Sequence, residues 1–505
     1  MLLIDDLARA AAEQPDAPGV SYDGRQWTWS QWHDRVRRLT GALVSAGLGR
    51  GDRVAVIDRN HVAILDVILA ASSLGAATVV PNWRLKDDEL THIIQDSSPR
   101  LVLVGEAAAG RDDLILTAAP SIERVIPMSD YETWIDGAQP VDPTPEVTPD
   151  DVALVIYTSG TTGLAKGATF SHRGLQANSV ISARLGAMGP DDRVLVSMPL
   201  FHVGGAGAAL TAIHEAVPIT LLRDANADSI VEAIESGCTR AFLVPAVIST
   251  LLHAGERERQ ALASLSLLTY GGAPCPRPLL QEALAVMPKT QFTQVYGMTE
   301  TCGTVTALPD DVHRDRQRPE RLASVGRAVD GVEVRVVDPS SLADLPEGSV
   351  GELWFRTPKR MTGYLGQPKA TAQVIVEGDW VRTGDIGRMN ADGFIVIEDR
   401  LKDIIITGGE NVFSPEVESV LSDHPAVADV AVIGVPDPRM GEAVVAVVVP
   451  HDRATIDPDA LIAYAHERLA GYKCPRRIDL VDALPRNASG KVLKRELREH
   501  LQAAG

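Results

Sequence analysis

Apolar positions along the 505-residue chain come in short runs separated by stretches of helical spacing. Runs at 152–157, 193–199, 216–222, 241–245, 267–270 and 292–296 have the length of strands, and the segments between them are long enough for helices. Such alternation predicts an α/β protein of layered sheets covered by helices. The most apolar stretch, 62–80, is interrupted by Asp66 and two serines. It falls short of the roughly 20 apolar residues of a membrane span and is expected to be a buried helix leading into a strand. From 325 to 397 the texture becomes strand-like, broken by Gly, Pro and Asp, as in Gly331-Val-Glu-Val-Arg-Val-Val337 and Gly393-Phe-Ile-Val-Ile-Glu398. A small β-rich, barrel-like subdomain is expected there.

Another change follows Arg400. Ser414-Pro-Glu-Val-Glu418 supplies an N-cap residue, a proline at the first helical position and early carboxylates, so a helix should open at Ser414. Positions 430–435, 443–449 and 477–481 read as strands and 458–469 as a helix. The chain therefore divides into a large domain, 1–400, and a small α+β domain, 401–505, with the proline-rich 140–149 as a surface connection.

Charge narrows the function. A formal net charge of -19 argues against general affinity for nucleic acid or anionic membrane, which demand surplus Lys and Arg. A local basic pocket is still compatible with it. Cys238, Cys275, Cys302 and Cys474 are scattered, with no CxxC pair, so neither a disulfide framework nor a zinc site is indicated. The opening Met1-Leu-Leu-Ile-Asp-Asp6 carries acid where a signal peptide would carry base. The expectation is a soluble cytoplasmic protein without an integral membrane segment.

The strongest chemical signal is Tyr157-Thr-Ser-Gly-Thr-Thr-Gly-Leu-Ala-Lys-Gly167, directly after an apolar run. Gly160, Gly163 and Gly167 permit a tight backbone path. Thr158, Ser159, Thr161 and Thr162 offer hydroxyls and Lys166 a cation, a set suited to wrapping a polyphosphate. It is not a Walker loop, because no glycine precedes Lys166 and no Ser or Thr follows it. Composition alone would read it as a solvated turn.

The whole segment resembles the signature loop of the adenylate-forming superfamily, which contains acyl-CoA synthetases, peptide-synthetase adenylation domains and beetle luciferases. Ala165 stands where that family usually has proline. Further family-like motifs follow in order along nearly the whole chain. They are Pro199-Leu-Phe-His-Val-Gly-Gly205, Tyr270-Gly-Gly-Ala-Pro274, Gln294-Val-Tyr-Gly-Met-Thr-Glu300 and Trp380-Val-Arg-Thr-Gly-Asp-Ile-Gly387. After them come Asp399-Arg-Leu-Lys-Asp403, Gly408-Gly-Glu-Asn411 and Pro485-Arg-Asn-Ala-Ser-Gly-Lys491. The chain is most similar to bacterial fatty-acid or aromatic-acid CoA ligases.

The resemblance implies an ATP-dependent acid:CoA ligase that uses ATP, Mg2+ and coenzyme A with a carboxylic acid. It implies that Tyr296 stacks on adenine, Thr299 contacts the α-phosphate, Glu300 holds magnesium, and Asp385 and Arg400 meet the ribose. Gly272, Ala273, Pro274, Gln294, Gly297 and Met298 would complete the nucleotide pocket, and Thr158 and Lys491 would act on the reacting groups. Asp385 also reads as a plain turn aspartate after Gly384. His202 and Gly205, with Gly408 and Gly409, would line the acyl and CoA channel, and Lys402 would be the hinge of a mobile small domain. A lone histidine beside Phe201 equally suits a packed core, so His202 is assigned positioning, not acid–base chemistry. Lys473, Arg476 and Arg477 read either as contacts for CoA phosphates or as a solvated basic face.

Glycines and alanines at 204–209 suggest room for an apolar acyl group, so a medium or long fatty acid, or an aromatic or alicyclic acid, is expected. Competing functions are delivery of the acyl group to a carrier protein and a catalytically silent nucleotide-binding protein. The latter would be expected to have lost Glu300, Asp385 or Lys491, and all three are present.

Overall fold

Along the strand Arg53–Ile57, Val54 and Val56 enter one apolar core while Ala55 and Ile57 enter another. Side chains of a strand alternate between faces, so a run that is apolar throughout must be covered on both sides. The structure, a computed structural model, describes residues 1–158, 164–451, 457–486 and 492–503. Arg53–Ile57 is central in a seven-stranded sheet that ends, on the phosphate-loop side, with Val152–Thr158, Lys166–Ser171 and Gly363–Tyr364. In a second, nine-stranded sheet, Val194 and Val196 share the core of Val54 and Val56, while Leu195 faces a third core.

Helices therefore lie between the two sheets and outside each of them. Trp29–Ser45, Val62–Ser72, His172–Ala183 and Val203–His214 fill the middle layer. Asp87–Ser97 covers the outer face of the seven-stranded sheet, and Ala227–Glu235, Pro245–Ala254 and Arg277–Val286 cover that of the nine-stranded one.

The apolar stretch at 62–80 forms the expected buried helix, Val62–Ser72, and the strand Ala77–Val79. All eleven helix residues are buried, as a helix apolar on every side must be. Asp66 at its centre accepts from the Trp32 indole at 2.8 Å, Arg35 Nε at 2.7 Å and the Tyr131 hydroxyl at 2.9 Å. Arg35 is also held by Glu132, through its two terminal nitrogens at 2.5 and 2.7 Å, so removing Asp66 would chiefly leave the buried Trp32 and Tyr131 donors and Arg35 Nε unmet.

The β-rich stretch forms an antiparallel sheet of five strands, Glu333–Val337, Gly351–Arg356, Ile375–Val376, Trp380–Met389 and Ile395–Arg400. This sheet ends at Arg400, and a fourth sheet begins at Ile405–Thr407. Val427–Asp437 and Gly441–Pro450 form its longest pair, and Ser414–Ser422 and Pro458–His466 pack on one face around Val417, Leu421, Leu461 and Ala465. The molecule thus has a large α/β domain followed by a smaller α+β domain.

Ser414 does not cap its helix with its own side chain. The helix starts at Ser414, whose amide and hydroxyl donate to the Asp399 carboxylate at 2.7 and 2.8 Å. A carboxylate from the preceding sheet meets the unsatisfied amides of the helix start, where negative charge is favoured.

Candidate functional site

The site is built where the strand Gln291–Met298 ends and turns through Thr299–Thr301. Near the end of that strand the Tyr296 hydroxyl donates to Asp385 Oδ2 at 2.6 Å. Asp385 lies opposite Arg400 in the ladder between Trp380–Met389 and Ile395–Arg400, and Arg400 Nε stands 3.2 Å from its carboxylate. Asp385 is 6% exposed, so it is a held, buried carboxylate. Burial, and then the facing Asp385 charge, hold the Tyr296 hydroxyl well above the usual tyrosine pKa, so it remains a donor. The Asp385 amide donates to Thr383 Oγ1 at 2.9 Å, which fixes the turn at Gly384, where φ is +68°.

A second carboxylate is fixed in the same way. Glu300 is 8% exposed and accepts from the Tyr364 hydroxyl at 2.6 Å. Lys166 Nζ lies 5.2 Å from the centre of the Tyr364 ring, within cation–π range. The backbone joins these parts: Met361 N donates to Glu300 O at 2.9 Å, Thr362 N to Thr169 O and Leu365 N to Gly167 O, both at 2.8 Å. Thr158 and Lys166 are cross-strand partners, so the strands Val152–Thr158 and Lys166–Ser171 that flank the expected phosphate loop pair antiparallel. Ser159, Gly160, Thr161, Thr162 and Gly163 lie outside the described residues, as does Lys491. A Cβ on Gly167 would stand 2.9 Å from the Tyr157 ring, which accounts for that glycine.

Tyr364 belongs to none of the motifs read from the sequence. Only the pairing of Gly363–Tyr364 with the strand Lys166–Ser171 brings it to Glu300, and no local spacing signals that.

The remaining expected nucleotide residues surround this strand end. Gly272 has φ +78° and packs toward Val244, and it is followed by half-buried Ala273 and exposed Pro274. Gln294 receives a long contact from the Tyr270 hydroxyl at 3.4 Å. A Cβ on Gly297 would collide with the Gly303 carbonyl, so this glycine serves close strand packing. Met298 N donates to Thr301 Oγ1 at 3.2 Å, while Thr299 makes no side-chain hydrogen bond among the described residues.

His202 immediately precedes the helix Val203–His214, its ring 4.6 Å from that of Phe201. Its Nε2 is buried without a partner among the described residues. Burial, aided by the Arg84 charge, pulls its pKa down to about 4, so it is neutral near pH 7. Arg84 and Arg59 lie 4.7 and 5.3 Å from the Trp83 ring centre. Arg59 is paired with Asp224 at 2.8 Å, whereas Arg84 has no carboxylate partner among the described residues. Arg84 was not among the residues singled out from the sequence, because an isolated arginine carries no spacing signal.

Several glycines have structural explanations. A Cβ on Gly205 would meet the backbone carbonyls of Met198 and Pro199, so its missing side chain allows close packing of the helix against that turn. Gly408 and Gly409, at φ +61° and +86°, form the two-residue turn between Ile405–Thr407 and Glu410–Val412, a conformation that favours glycine. Lys402 is exposed in the turn between the third and fourth sheets. In the basic cluster, Lys473 is paired with Glu416 at 2.7 Å and Arg477 with Asp479 at 2.9 Å.

Among the described residues no group of three or more His, Cys, Asp and Glu could hold a metal ion. Magnesium, which is met by one or two carboxylates plus substrate phosphates, fits a single buried Glu300. No helix among the described residues is long and apolar enough to cross a membrane.

Comparison with known proteins agrees with this geometry. A profile of AMP-binding enzymes matches residues 7–365, and one of the AMP-binding enzyme C-terminal domain matches residues 416–491. The chain is 38% identical over 505 residues to a feruloyl-CoA synthase of an Amycolatopsis species, covering 97% of each. It is 36% identical over 504 residues to the fatty acid–[acyl-carrier-protein] ligase ScoC of Streptomyces coeruleorubidus, covering 98% of this chain and 96% of that one. ATP-bound MatB from Rhodopseudomonas palustris shares the fold with a TM-score of 0.91 and 30% identity over the full length of both chains. The chain belongs to the AMP-binding enzyme family. It is an adenylate-forming enzyme of the acyl-CoA synthetase class.

Proposed function

We propose that this enzyme joins a carboxylic acid to coenzyme A at the expense of ATP, with a fatty, aromatic or alicyclic acid as substrate. The observation that carries the reading is the pair of buried carboxylates at one strand end, Asp385 and Glu300, each fixed by a tyrosine hydroxyl at 2.6 Å. Asp385 has the two acceptor oxygens to receive both ribose hydroxyls, with Arg400 beside it and the Tyr296 ring set against adenine. Thr299 and Thr158 face the phosphates with Lys166.

Glu300 has one oxygen committed to Tyr364 and the other available to a magnesium ion bound with the nucleotide. That ion would supply neutralising charge to the phosphates. The acid carboxylate attacks the α-phosphorus and pyrophosphate leaves. Both reactants are anions, so Lys166 and Lys491 lower their repulsion, and binding in register lowers the entropic cost. The thiol of CoA then attacks the acyl carbonyl and AMP leaves, after rotation of residues 401–505 about Lys402.

Neutral His202 positions the acyl group without exchanging protons. Unpaired Arg84 beside it suits a CoA phosphate. A carrier-protein thiol is the second reading for the acceptor, favoured by the 36% relative.

The test is acid-dependent pyrophosphate release, followed by AMP and thioester formation with CoA or with a pantetheinylated carrier protein. Pyrophosphate release without thioester on CoA would refute CoA as acceptor. A clear preference for acetate or malonate by specificity constant would refute the acid class.

A further inference from the structure

Behind the helix Val203–His214 lies a charge that adenylation as described leaves unused. Lys359 is 0% exposed, and its ammonium donates to Asn178 Oδ1 at 3.0 Å. An ammonium has three donors and no acceptor. Among the described residues Lys359 has no other side-chain partner, and no carboxylate lies within 4.0 Å of it. Burial lowers its pKa to about 8, which leaves it mainly protonated at pH 7. A buried charge without a counterion opposes folding, and such violations persist where function needs them.

The position of this charge suggests what that function is. Asn178, 4% exposed, stands against Gly207 and Gly303: a Cβ on Gly207 would lie 3.0 Å from its Nδ2, and one on Gly303 3.9 Å from its Oδ1. The Gly303 position also faces Val203 at 3.9 Å, the helix residue next to His202. Val203 and Gly207 are four residues apart on that helix and share a face. The residues His202, Val203, Gly303, Asn178 and Lys359 thus follow one another as packed or adjacent neighbours. Gly303 follows Glu300 by three residues, so a single turn has the phosphate carboxylate at one end and the Asn178–Lys359 pair beyond the other.

We propose that the acyl pocket ends on Lys359 and Asn178, and that the acid carries an oxygen acceptor, a phenol oxygen or a second carboxylate, at the end remote from the reacting carboxylate. This rests on the acid-activating reading above. It refines the expectation of a wholly apolar acyl group, because a donor-only buried cation favours an acceptor and leaves an unmet donor against a methyl group.

Three aryl acids of one skeleton, differing only in a remote methyl, hydroxyl or carboxylate, distinguish the possibilities through kcat/KM for pyrophosphate release. The wild-type enzyme should prefer one of the two oxygen-bearing acids over the methyl acid by at least about tenfold, and the better of the two identifies the group. Lys359→Met, close in volume and uncharged, should erase most of that ratio. It should leave the thermal midpoint no lower than wild type, because a buried ion is being replaced by an apolar side chain. Equal or better use of the methyl acid by the wild type would overturn the proposal, even if the variant failed to fold. So would an equal loss on all three acids in Lys359→Met. Turnover without preference sinks this proposal alone, whereas pyrophosphate release with no acid at all sinks the ligase reading with it.

Discussion

Removal of one oxygen from Tyr364 tests the centre of the site. Tyr364→Phe deletes the hydroxyl that donates to Glu300 at 2.6 Å and keeps the ring beside Lys166 at 5.2 Å. The backbone bonds from Thr362 to Thr169 and from Leu365 to Gly167 do not involve that oxygen, so the hairpin stays joined. A hydrogen bond to a charged group contributes about 1.5–3 kcal/mol, or about 10- to 150-fold in an equilibrium or rate. Partners that orient a metal-binding carboxylate typically account for about 10- to 100-fold in metal affinity or activity. Pyrophosphate release titrated with Mg2+ at fixed ATP should therefore show a half-saturating Mg2+ concentration or a kcat worse by about tenfold or more, with the KM for the acid little changed. Tyr296→Phe makes the same deletion on Asp385 and should instead raise the KM for ATP. If Tyr364→Phe stayed within about twofold of wild type in both kcat and Mg2+ dependence, Glu300 would not be the metal carboxylate oriented by this hydroxyl.

Other outcomes are expected elsewhere in the chain. The Lys402 amide donates no hydrogen bond among the described residues, so Lys402→Pro should mainly restrict φ. It should slow thioester formation far more than single-turnover pyrophosphate release, and equal loss in both would make Lys402 merely structural. Buried His172 accepts from Leu3 N at 3.1 Å, and its other ring nitrogen faces Ser72 O at 3.2 Å. Burial takes its pKa from 6.5 down to about 4, so the unfolded chain binds the proton more readily and stability falls as pH drops from about 6.5 toward 4. That loss approaches roughly 3 kcal/mol, and His172→Gln should flatten it in urea midpoints measured at successive pH values. An unchanged slope would assign the effect to other groups. Lys491→Ala should slow adenylation by about a thousandfold, from roughly 4 kcal/mol for a charge contact near 4 Å, while sparing thioester formation from synthetic acyl-adenylate. Loss of both halves would overturn that role.

What the sequence alone determined is local. The apolar segment that became the buried helix Val62–Ser72 and strand Ala77–Val79, the alternation of the small β-rich region and the change of texture after Arg400 all reflect which faces must leave water. That requirement repeats every two or 3.6 residues and is therefore readable along the chain. The strand Val152–Thr158 was readable for a related reason, since its apolar run stands directly before a glycine-rich segment. The tertiary structure decided everything that depends on residues far apart. Tyr296 and Asp385 are separated by 89 positions, Glu300 and Tyr364 by 64, and Asn178 and Lys359 by 181. Helix capping followed the same rule: Ser414 looked like a cap by composition, but packing brought Asp399 to the helix start instead. The close approach of the Pro199 carbonyl to Gly205 likewise appears only in the fold. Burial patterns are written in the order of residues. Hydrogen bonds between distant side chains, and the charges they leave buried, exist only once sheets and helices have packed and water has been excluded from between them.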